Sequence, residues 1–321
     1  MPRRKTSRVK AEKPERRLHL RVSSPRIFGF GLLRLLKSSA KFAGALGLVV
    51  AAAWGAKAGL RTFFIENAEF QLSEVELETN GEFTEGHFAT LTGIDPTASV
   101  FGIKLTELRG KLLERPGIVK AELSRRLPGT PRVTVEERIP VAWLECRPLG
   151  IVGKDPKSGL LLDENGVCFP CEFWWEEKAK PLPVVLVSQA EEGDVSIGKQ
   201  LRHHEGRRAL ELINLSNRRL AEKEWSLPVV AVRNDYSLVA ATSGGILVTF
   251  GMYEHERQLA DLITLVRSTT QAGEQMTSVN LIPERNIPVK IGGPRTGSKK
   301  SGGFQPENRL QRDIRAILNR S

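Results

Sequence analysis

Residues 118–142 read IVKAELSRRLPGTPRVTVEERIPVA, and the pattern of this stretch decides the fold class. Apolar and polar residues alternate over 119–123 and again over 133–135, which predicts two half-buried β-strands. A Pro-Gly-Thr turn at 128–130 separates them, so the stretch predicts a β-hairpin. Because Pro131 has no backbone N–H, we expect the second strand to begin one or two residues later or to lie at a sheet edge there.

A strand and two helices are predicted upstream of this hairpin. The strand covers residues 70–80 (FQLSEVELETN), and the next helix begins at the N-cap Thr84, with Phe83 and Phe88 as a hydrophobic staple. A second helix follows and stops at Pro116-Gly117; its apolar side consists of Leu105, Leu108, Leu112 and Leu113. The order strand, helix, helix, strand, strand predicts a small α+β domain with its helices on one face of a short sheet.

The same residues resemble a known family. SVFGI at 99–103 is followed by L-x-x-L-x-x-x-L-L-E-R-P at 105–116 and then by the hairpin stretch. As a set, these motifs resemble the POTRA domain of the FtsQ (DivIB) family of bacterial cell-division proteins. The sequence departs from the family at Gly117, where Trp is frequent, and at Pro131, where Leu is usual. The matching positions are Pro116, Ile118, Ala121, Leu123, Pro128, Val133, Val135, Glu137 and Pro140.

The positive charge of the chain lies entirely at its N-terminus. Residues 1–41 hold 13 Lys or Arg and 2 Asp or Glu, whereas the other 280 residues hold 35 of each sign, and the total is +11. An uncharged run of 15 residues, FAGALGLVVAAAWGA, begins at Phe42. This arrangement predicts a single transmembrane helix over 42–65, with a basic cytoplasmic tail at 1–41 and most of the protein outside the cytoplasm. A nucleic-acid partner is not expected, since no base-reading module accompanies the charge.

Two other interpretations of residues 42–65 stay open. One is a buried helix of a soluble protein, although so basic a flank is unusual before such a helix. The other is a cleaved signal peptide, because Ala56-Lys57-Ala58 fits the small-x-small cleavage pattern. The charged leader of about forty residues is longer than the usual n-region and therefore favours a retained anchor.

A second domain is predicted over 142–291, after a first domain over 67–141. Its architecture resembles the β domain that follows POTRA in the FtsQ family, with L-x-D-x-x-G at 161–166 and L-P at 182–183 as sequence anchors. Helices are predicted at 199–220 and 254–271, so the expected fold is a mixed β domain with covering helices. The predicted strands are 141–144, 160–162, 167–169, 181–186, 229–232, 237–241, 246–250, 278–282 and 287–291.

Two motifs resemble chemical sites. GDVSIGKQ at 193–200 is similar to a phosphate-binding loop, but Gln200 replaces the hydroxyl residue and acidic residues flank it, so a turn is expected. Cys168 and Cys171 have the C-x-x-C spacing of redox and zinc sites. We expect buried or disulfide-bonded structural cysteines at these two positions, with redox or metal roles as alternatives, and a core thiol at Cys146. The chain has no nucleophile or metal signature, so neither catalysis, a cofactor nor a small-molecule substrate is predicted.

Residues 292–321 are predicted to form a flexible basic extension. GGPRTGSKKS at 292–301 has the composition of a linker. A short helix could follow, with Leu310, Ile314, Ile317 and Leu318 on one side. Docking of this helix to a membrane surface or a partner is the alternative.

The family resemblance implies a function and a site. It implies a single-pass cytoplasmic-membrane scaffold at the division septum, which binds FtsB- and FtsL-like proteins and helps control septal peptidoglycan synthesis without catalysing it. It also points to the last strand as an edge to which a partner segment adds, with Pro288 limiting the available edge atoms. The implied partner-binding residues are Ile287, Val289, Lys290 and Ile291.

Two other functions remain open from the sequence. POTRA-like domains also occur in outer-membrane assembly and two-partner secretion, so an anchored protein of envelope export is one alternative. An extracytoplasmic thiol redox protein that uses Cys168 and Cys171 is the other.

Overall fold

The computed structural model describes residues 41, 43–57, 59, 71–72, 74–94, 99–126, 130–221, 225–292 and 309–320. The chain divides into two compact units, Met1–Phe63 and Phe64–Ser321. In the first unit, residues 43–57 form a helix, α1. Within the described ranges, no helix has the length and apolar character needed to cross a membrane. Residues 1–40 of the predicted tail, and 42, 58 and 60–65 of the predicted span, lie outside these ranges.

The first sheet described in the second unit is small and has three strands within the described ranges. Strand β1 pairs in parallel with β3, and β3 pairs antiparallel with β2, so β3 is central. The order of elements is the predicted one, although β1 is shorter than the predicted strand. The elements are β1 (Glu76–Thr79), α2 (Glu85–Thr92), α3 (Leu105–Leu113), β2 (Ile118–Arg126) and β3 (Thr130–Glu137).

Local chemistry explains where α2 begins and ends. The Thr84 hydroxyl accepts a hydrogen bond from the His87 backbone N–H at 3.3 Å, and His87 Nδ1 accepts one from the Thr84 N–H at 3.1 Å. These two bonds form a capping box, which satisfies helix N–H groups that have no partner inside the helix. Phe83 and Phe88 are both buried, as the predicted staple requires. Gly93 ends the helix in the left-handed conformation, with φ of 65°.

The small sheet corrects three sequence expectations. Val119 is 46 % exposed, because a register shift between Ile118 and Lys120 places Ile118 in the core instead. Leu113 is also exposed, at the last position of α3. Pro131 lies inside β3 and pairs with β2, so the later start is wrong. The edge alternative is confirmed, since β1 pairs only from Arg132 onward.

Among the described residues, the large sheet has nine strands in the order β12-β11-β10-β9-β8-β7-β4-β5-β6. Strands β4, β7 and β8 run parallel, as do β10 and β11, and the other neighbours are antiparallel. The bounds are β4 (Pro140–Glu145), β5 (Leu160–Asp163), β6 (Cys168–Pro170), β7 (Val184–Leu186), β8 (Val229–Asn234), β9 (Ser237–Ala241), β10 (Leu247–Gly251), β11 (Gln275–Asn280) and β12 (Val289–Gly292).

In the described part of the chain, four α-helices accompany the large sheet: α4 (Glu176–Ala179), α5 (His204–Leu220), α6 (His255–Gln271) and α7 (Arg309–Leu318). Helix α5 begins later than the predicted residue 199, because His203 is its N-cap and accepts the Gly206 N–H at Nδ1. Its predicted buried side is confirmed at Leu210, Ile213 and Leu220.

Two hydrophobic cores lie on opposite faces of the large sheet. One face packs against α5 and α6 and includes Leu144 and Val230. The other face includes Trp143 and Val229 and packs against α4 and α7. This second core continues through Trp174 into the interior of the small sheet. The observed fold is therefore mixed α+β, with two sheets that share one core.

Helix α7 is part of this second core. Ile314 and Ile317 are buried there, and Leu310 and Leu318 pack beside them, which is the apolar side that the spacing predicted. The sequence did not predict that the apolar side of α7 packs against the protein's own large sheet. The predicted linker lies largely in residues 293–308, which are outside the described ranges.

Candidate partner-binding edge

Strand β12 forms one edge of the large sheet, and within the described chain it pairs only with β11. Val289, Lys290 and Ile291 lie in this strand, whereas Ile287 lies before it. The sequence predicted a strand from 287, but the observed strand begins after Pro288. Proline cannot donate a ladder hydrogen bond, which explains the later start.

Two hydrogen bonds define which side of β12 faces β11. The Pro288 carbonyl accepts the Asn280 backbone N–H at 3.1 Å, and the Lys290 carbonyl accepts the Thr277 hydroxyl at 3.1 Å. Successive residues of a strand direct their backbone polar groups to opposite sides. The N–H and C=O groups of Val289 and Ile291 therefore point to the open edge.

Pro288 restricts the other side of the strand. The Pro288 carbonyl faces β11, and a backbone N–H at the same residue would face β11 too. Because proline has no N–H, the missing donor is on the β11 side and not on the open side. The sequence led us to expect that Pro288 limits the open edge. In the structure the open edge keeps the donors of Val289 and Ile291, and a partner strand could bond to both.

The side chains of the candidate residues differ in burial. Ile287 and Val289 are partly buried against the core under α5 and α6. Ile291 is 51 % exposed, and Lys290 is also exposed. A charge at position 289 would therefore enter the core, whereas a charge at position 291 would change mainly the exposed surface.

An apolar patch that the sequence reasoning missed lies at the end of β10 and β11. Tyr253 is 61 % exposed, and the Arg208 guanidinium lies 4.8 Å from the centre of its ring. Ile282, also exposed, lies two residues after the end of β11 and near Gly251. Because β10 and β11 are parallel, both residues lie at the same end of the sheet. The signal in the sequence was a large apolar residue placed just after each strand.

The opposite edge of the large sheet is covered. The segment 197–200 runs beside β6: Cys168 of β6 forms a β-bridge with Ile197, and Val167, just before β6, forms one with Gln200. The Cys168 N–H donates to the Lys199 carbonyl at 2.9 Å, and the Gly198 N–H donates to the Cys168 carbonyl at 2.7 Å. The segment that resembled a phosphate-binding loop thus closes this edge.

The edges of the small sheet are also protected. Arg109 Nε donates to the Ala121 carbonyl of β2 at 3.0 Å. Strand β1 is four residues long and carries Glu76 and Glu78, and short, charged strands discourage edge pairing. Of the four edges in the described chain, β12 is the most accessible to a partner strand.

The cysteines of the C-x-x-C motif lie away from β12 and are free. Burial raises the pKa of Cys168 to about 12, with a further contribution from Asp163. Burial, together with Glu176 and Glu172, raises the pKa of Cys171 to about 12. Because the thiolate is the reactive form in disulfide exchange, these pKa values oppose rapid exchange at neutral pH.

Comparison with known proteins gives no assignment: no protein-family model matches the chain, and no curated protein is significantly similar to it. Within the described ranges, no group of three or more His, Cys, Asp or Glu side chains could hold a metal ion. The open edge of β12 is the feature with the clearest capacity for a function, namely the main-chain capture of an extended segment.

Proposed function

We propose that this protein is a membrane-anchored scaffold of the bacterial division machinery, similar to the FtsQ family, and that it captures partners at the edge of β12. The open side of β12 carries the proposal, because it leaves backbone donors and acceptors ready for another strand. The motifs at 99–142 and the order β1-α2-α3-β2-β3 support the same family. In this proposal, residues 67–141 are a POTRA domain.

The scaffold acts by geometry, without catalysis. The basic tail and residues 42–65 anchor the protein in the cytoplasmic membrane, with the N-terminus inside and both sheets outside. A segment of an FtsB- or FtsL-like protein adds to β12 through hydrogen bonds with Val289 and Ile291. Holding these partners together at the septum helps control septal peptidoglycan synthesis.

Substitutions at the edge test the capture step. Val289→Pro removes an N–H from the open side, and Ile291→Asp places a charge where an apolar partner residue would pack. We expect each change to lower co-purification of the partners by about tenfold or more, which corresponds to at least about 1.4 kcal/mol of binding free energy.

A matched control separates loss of binding from loss of folding. Tyr236→Asp introduces the same charge at an exposed residue in the turn between β8 and β9, and co-purification should be unchanged. Circular dichroism should show native secondary structure in all three variants. Unchanged co-purification with Val289→Pro and Ile291→Asp would remove β12 as the site.

Localisation tests the division role. A fluorescent fusion at Met1 is imaged in the native bacterium during depletion of the untagged protein. We expect enrichment at midcell and a block in septation. An even distribution around the envelope with normal septa would contradict the division role and favour the envelope-export alternative.

A further inference from the structure

Helix α7 fills an apolar groove on the face of the large sheet opposite α5 and α6. Ile314 and Ile317 are the buried anchors, and they share a core with Leu186 of β7 and with Val229 and Ala231 of β8. A ten-residue helix is only marginally stable alone in water. Contact with the groove therefore stabilises α7, and α7 covers apolar strands that would otherwise meet solvent.

Two charged contacts define the direction of the helix in this groove. Arg147 Nη1 lies 2.8 Å from Asp313 Oδ1, and Arg320 Nη1 lies 2.9 Å from Glu145 Oε2. Glu145 is fully buried, and Arg147 Nε lies 3.0 Å from its other carboxylate oxygen. The groove therefore fits a helix with a specific pattern of side chains: an acid, two buried isoleucines and a final arginine. In this chain they are Asp313, Ile314, Ile317 and Arg320.

The chain leaves β12 far from the place where α7 begins. Gly292 pairs with the first residue of β11, and the strand registers align this level with the start of β8. Leu310 and Asp313, in contrast, line a cavity that Asn234 at the end of β8 also lines. Four strand spacings and the length of β8 separate these points by about 28 Å. The sixteen residues 293–308 span up to about 55 Å when extended, so α7 can also reach a neighbouring molecule.

We propose that this groove also binds the α7 helix of a second copy of the chain, so that two copies exchange their α7 helices reciprocally. The groove requires a specific pattern, and α7 itself carries that pattern. Every contact made within one copy is made again between two copies, so the docking free energy is the same in both arrangements. The length of the tether, residues 293–308, and the local concentration of the protein then set the ratio of the exchanged to the unexchanged arrangement. This exchange goes beyond the proposed function and does not depend on it.

Cross-linking between differently labelled copies tests the exchange. Full-length Arg147→Cys and Asp313→Cys chains, each with Cys171→Ser, are mixed in detergent over a range of concentrations and treated with a short bismaleimide. The two positions meet in the groove, so a cross-linked heterodimer forms only when α7 of one copy occupies the groove of the other. We expect the heterodimer to increase with concentration.

Three controls make the result decisive. A chain with both cysteines should cross-link internally, which shows that the reagent reaches both sites. The Cys171→Ser parent measures the background from the native cysteines. Ile317→Asp in the Asp313→Cys chain should lower the heterodimer by about tenfold, because α7 can no longer dock. Internal cross-linking without any heterodimer at the highest concentration would overturn the proposal.

Shortening the tether provides an independent measurement. Deletion of residues 297–304 leaves eight residues, whose extended length of about 28 Å only equals the separation of the two ends and leaves no length for the turns at either end. We expect the molar mass from light scattering to shift from monomer to dimer, and Ile317→Asp in the same background to prevent the shift. A monomer that still forms the internal cross-link would contradict the exchange.

Discussion

Glu137 connects three separate parts of the second unit through hydrogen bonds. This buried carboxylate at the end of β3 accepts hydrogen bonds from the Thr79 hydroxyl at 2.6 Å, the Phe83 N–H at 2.9 Å and Trp174 Nε1 at 2.9 Å. The donors come from β1, from the approach to α2 and from the approach to α4. Gly81 permits this arrangement, because a Cβ at that position would lie 2.5 Å from the carboxylate.

Removal of this carboxylate should destabilise the protein strongly. Glu137→Ala leaves two buried donors, the Phe83 N–H and Trp174 Nε1, without their acceptor, and each unsatisfied buried group costs about 1–3 kcal/mol. The exposed Thr79 hydroxyl can bond to water instead. We expect urea denaturation to show a loss of about 2–6 kcal/mol in the free energy of unfolding. The exposed neighbour Glu136, changed to Ala, should alter this free energy by less than about 0.5 kcal/mol. A similar small effect of both changes would show that the three bonds contribute little.

Glu172 is a second buried carboxylate, but it has weak partners. Its Oε1 has no hydrogen-bond partner in the described part of the chain, and Arg115 Nη1 lies 3.8 Å from Oε2. Burial raises the pKa of Glu172, and the Arg115 guanidinium opposes the shift only in part. The folded state therefore binds this proton more tightly than the unfolded state does.

This raised pKa predicts a pH dependence of stability. The contribution of Glu172 is fully present below the ordinary pKa of 4.5 and is lost as the pH rises through the raised pKa of the folded state. Glu172→Gln cannot ionise, so the stability of the variant relative to the native protein should increase with pH across this window. Urea unfolding at pH values from about 4 to 8 measures the difference. A relative stability that is constant with pH would contradict the prediction, and Glu177→Gln, at an exposed position of α4, is the matched control.

At the scale of elements, the Arg320–Glu145 pair fastens the end of α7. Arg320→Ala leaves the buried carboxylate with Arg147 alone. Removal of one partner of a fully buried pair costs about 3–5 kcal/mol, but the Arg320 side chain is 34 % exposed, so we expect a loss of about 1–2 kcal/mol. Hydrogen exchange should show faster exchange of the α7 amides, in addition to the lower free energy of unfolding.

Helix α7 offers its own control for this change. Arg312 is exposed on the same helix, and Arg312→Ala removes the same type of charge without affecting Glu145. Its α7 amides should exchange at the native rate. Equal effects of the Arg312 and Arg320 changes would show that the pair does not hold the helix.

At the largest scale, the two sheets of the second unit share one hydrophobic core. The core that contains Phe88 and Leu112 of the small sheet's helices continues through Trp174 and Trp175 to Val184 of the large sheet. Trp143 Nε1 donates to the Ala179 carbonyl at 2.7 Å and fastens α4 to the sheet. Unfolding of either sheet would expose the core of the other.

Residues 64–321 should consequently unfold in a single transition. Tryptophan fluorescence and far-ultraviolet circular dichroism should give the same midpoint in urea, because a two-state transition is independent of the probe. Trp174→Ala removes a ring whose centre lies 5.0 Å from that of Phe83, and it should separate the midpoints. Two separate midpoints in the unaltered protein would show that the sheets fold independently.

The sequence by itself determined the α+β class, the order of the elements and most of their apolar sides. These features follow from local periodicity: alternation identifies β2 and β3, and the spacing of Leu210, Ile213 and Leu220 identifies the buried side of α5. Local capping chemistry likewise predicted Thr84 as a helix start. The membrane anchor and the division role remain predictions of the sequence.

Only the tertiary structure decided how these elements meet. Periodicity shows which residues share a face but not which strand lies alongside, so it could not show that Pro288 faces β11 or that β12 is the open edge. The bulge that exposes Val119 depends on pairing with β3, and the donors to Glu137 are separated from it by 37 to 58 residues. The docking of α7 depends in the same way on strands far upstream in the chain, because an apolar helix side does not specify what will cover it.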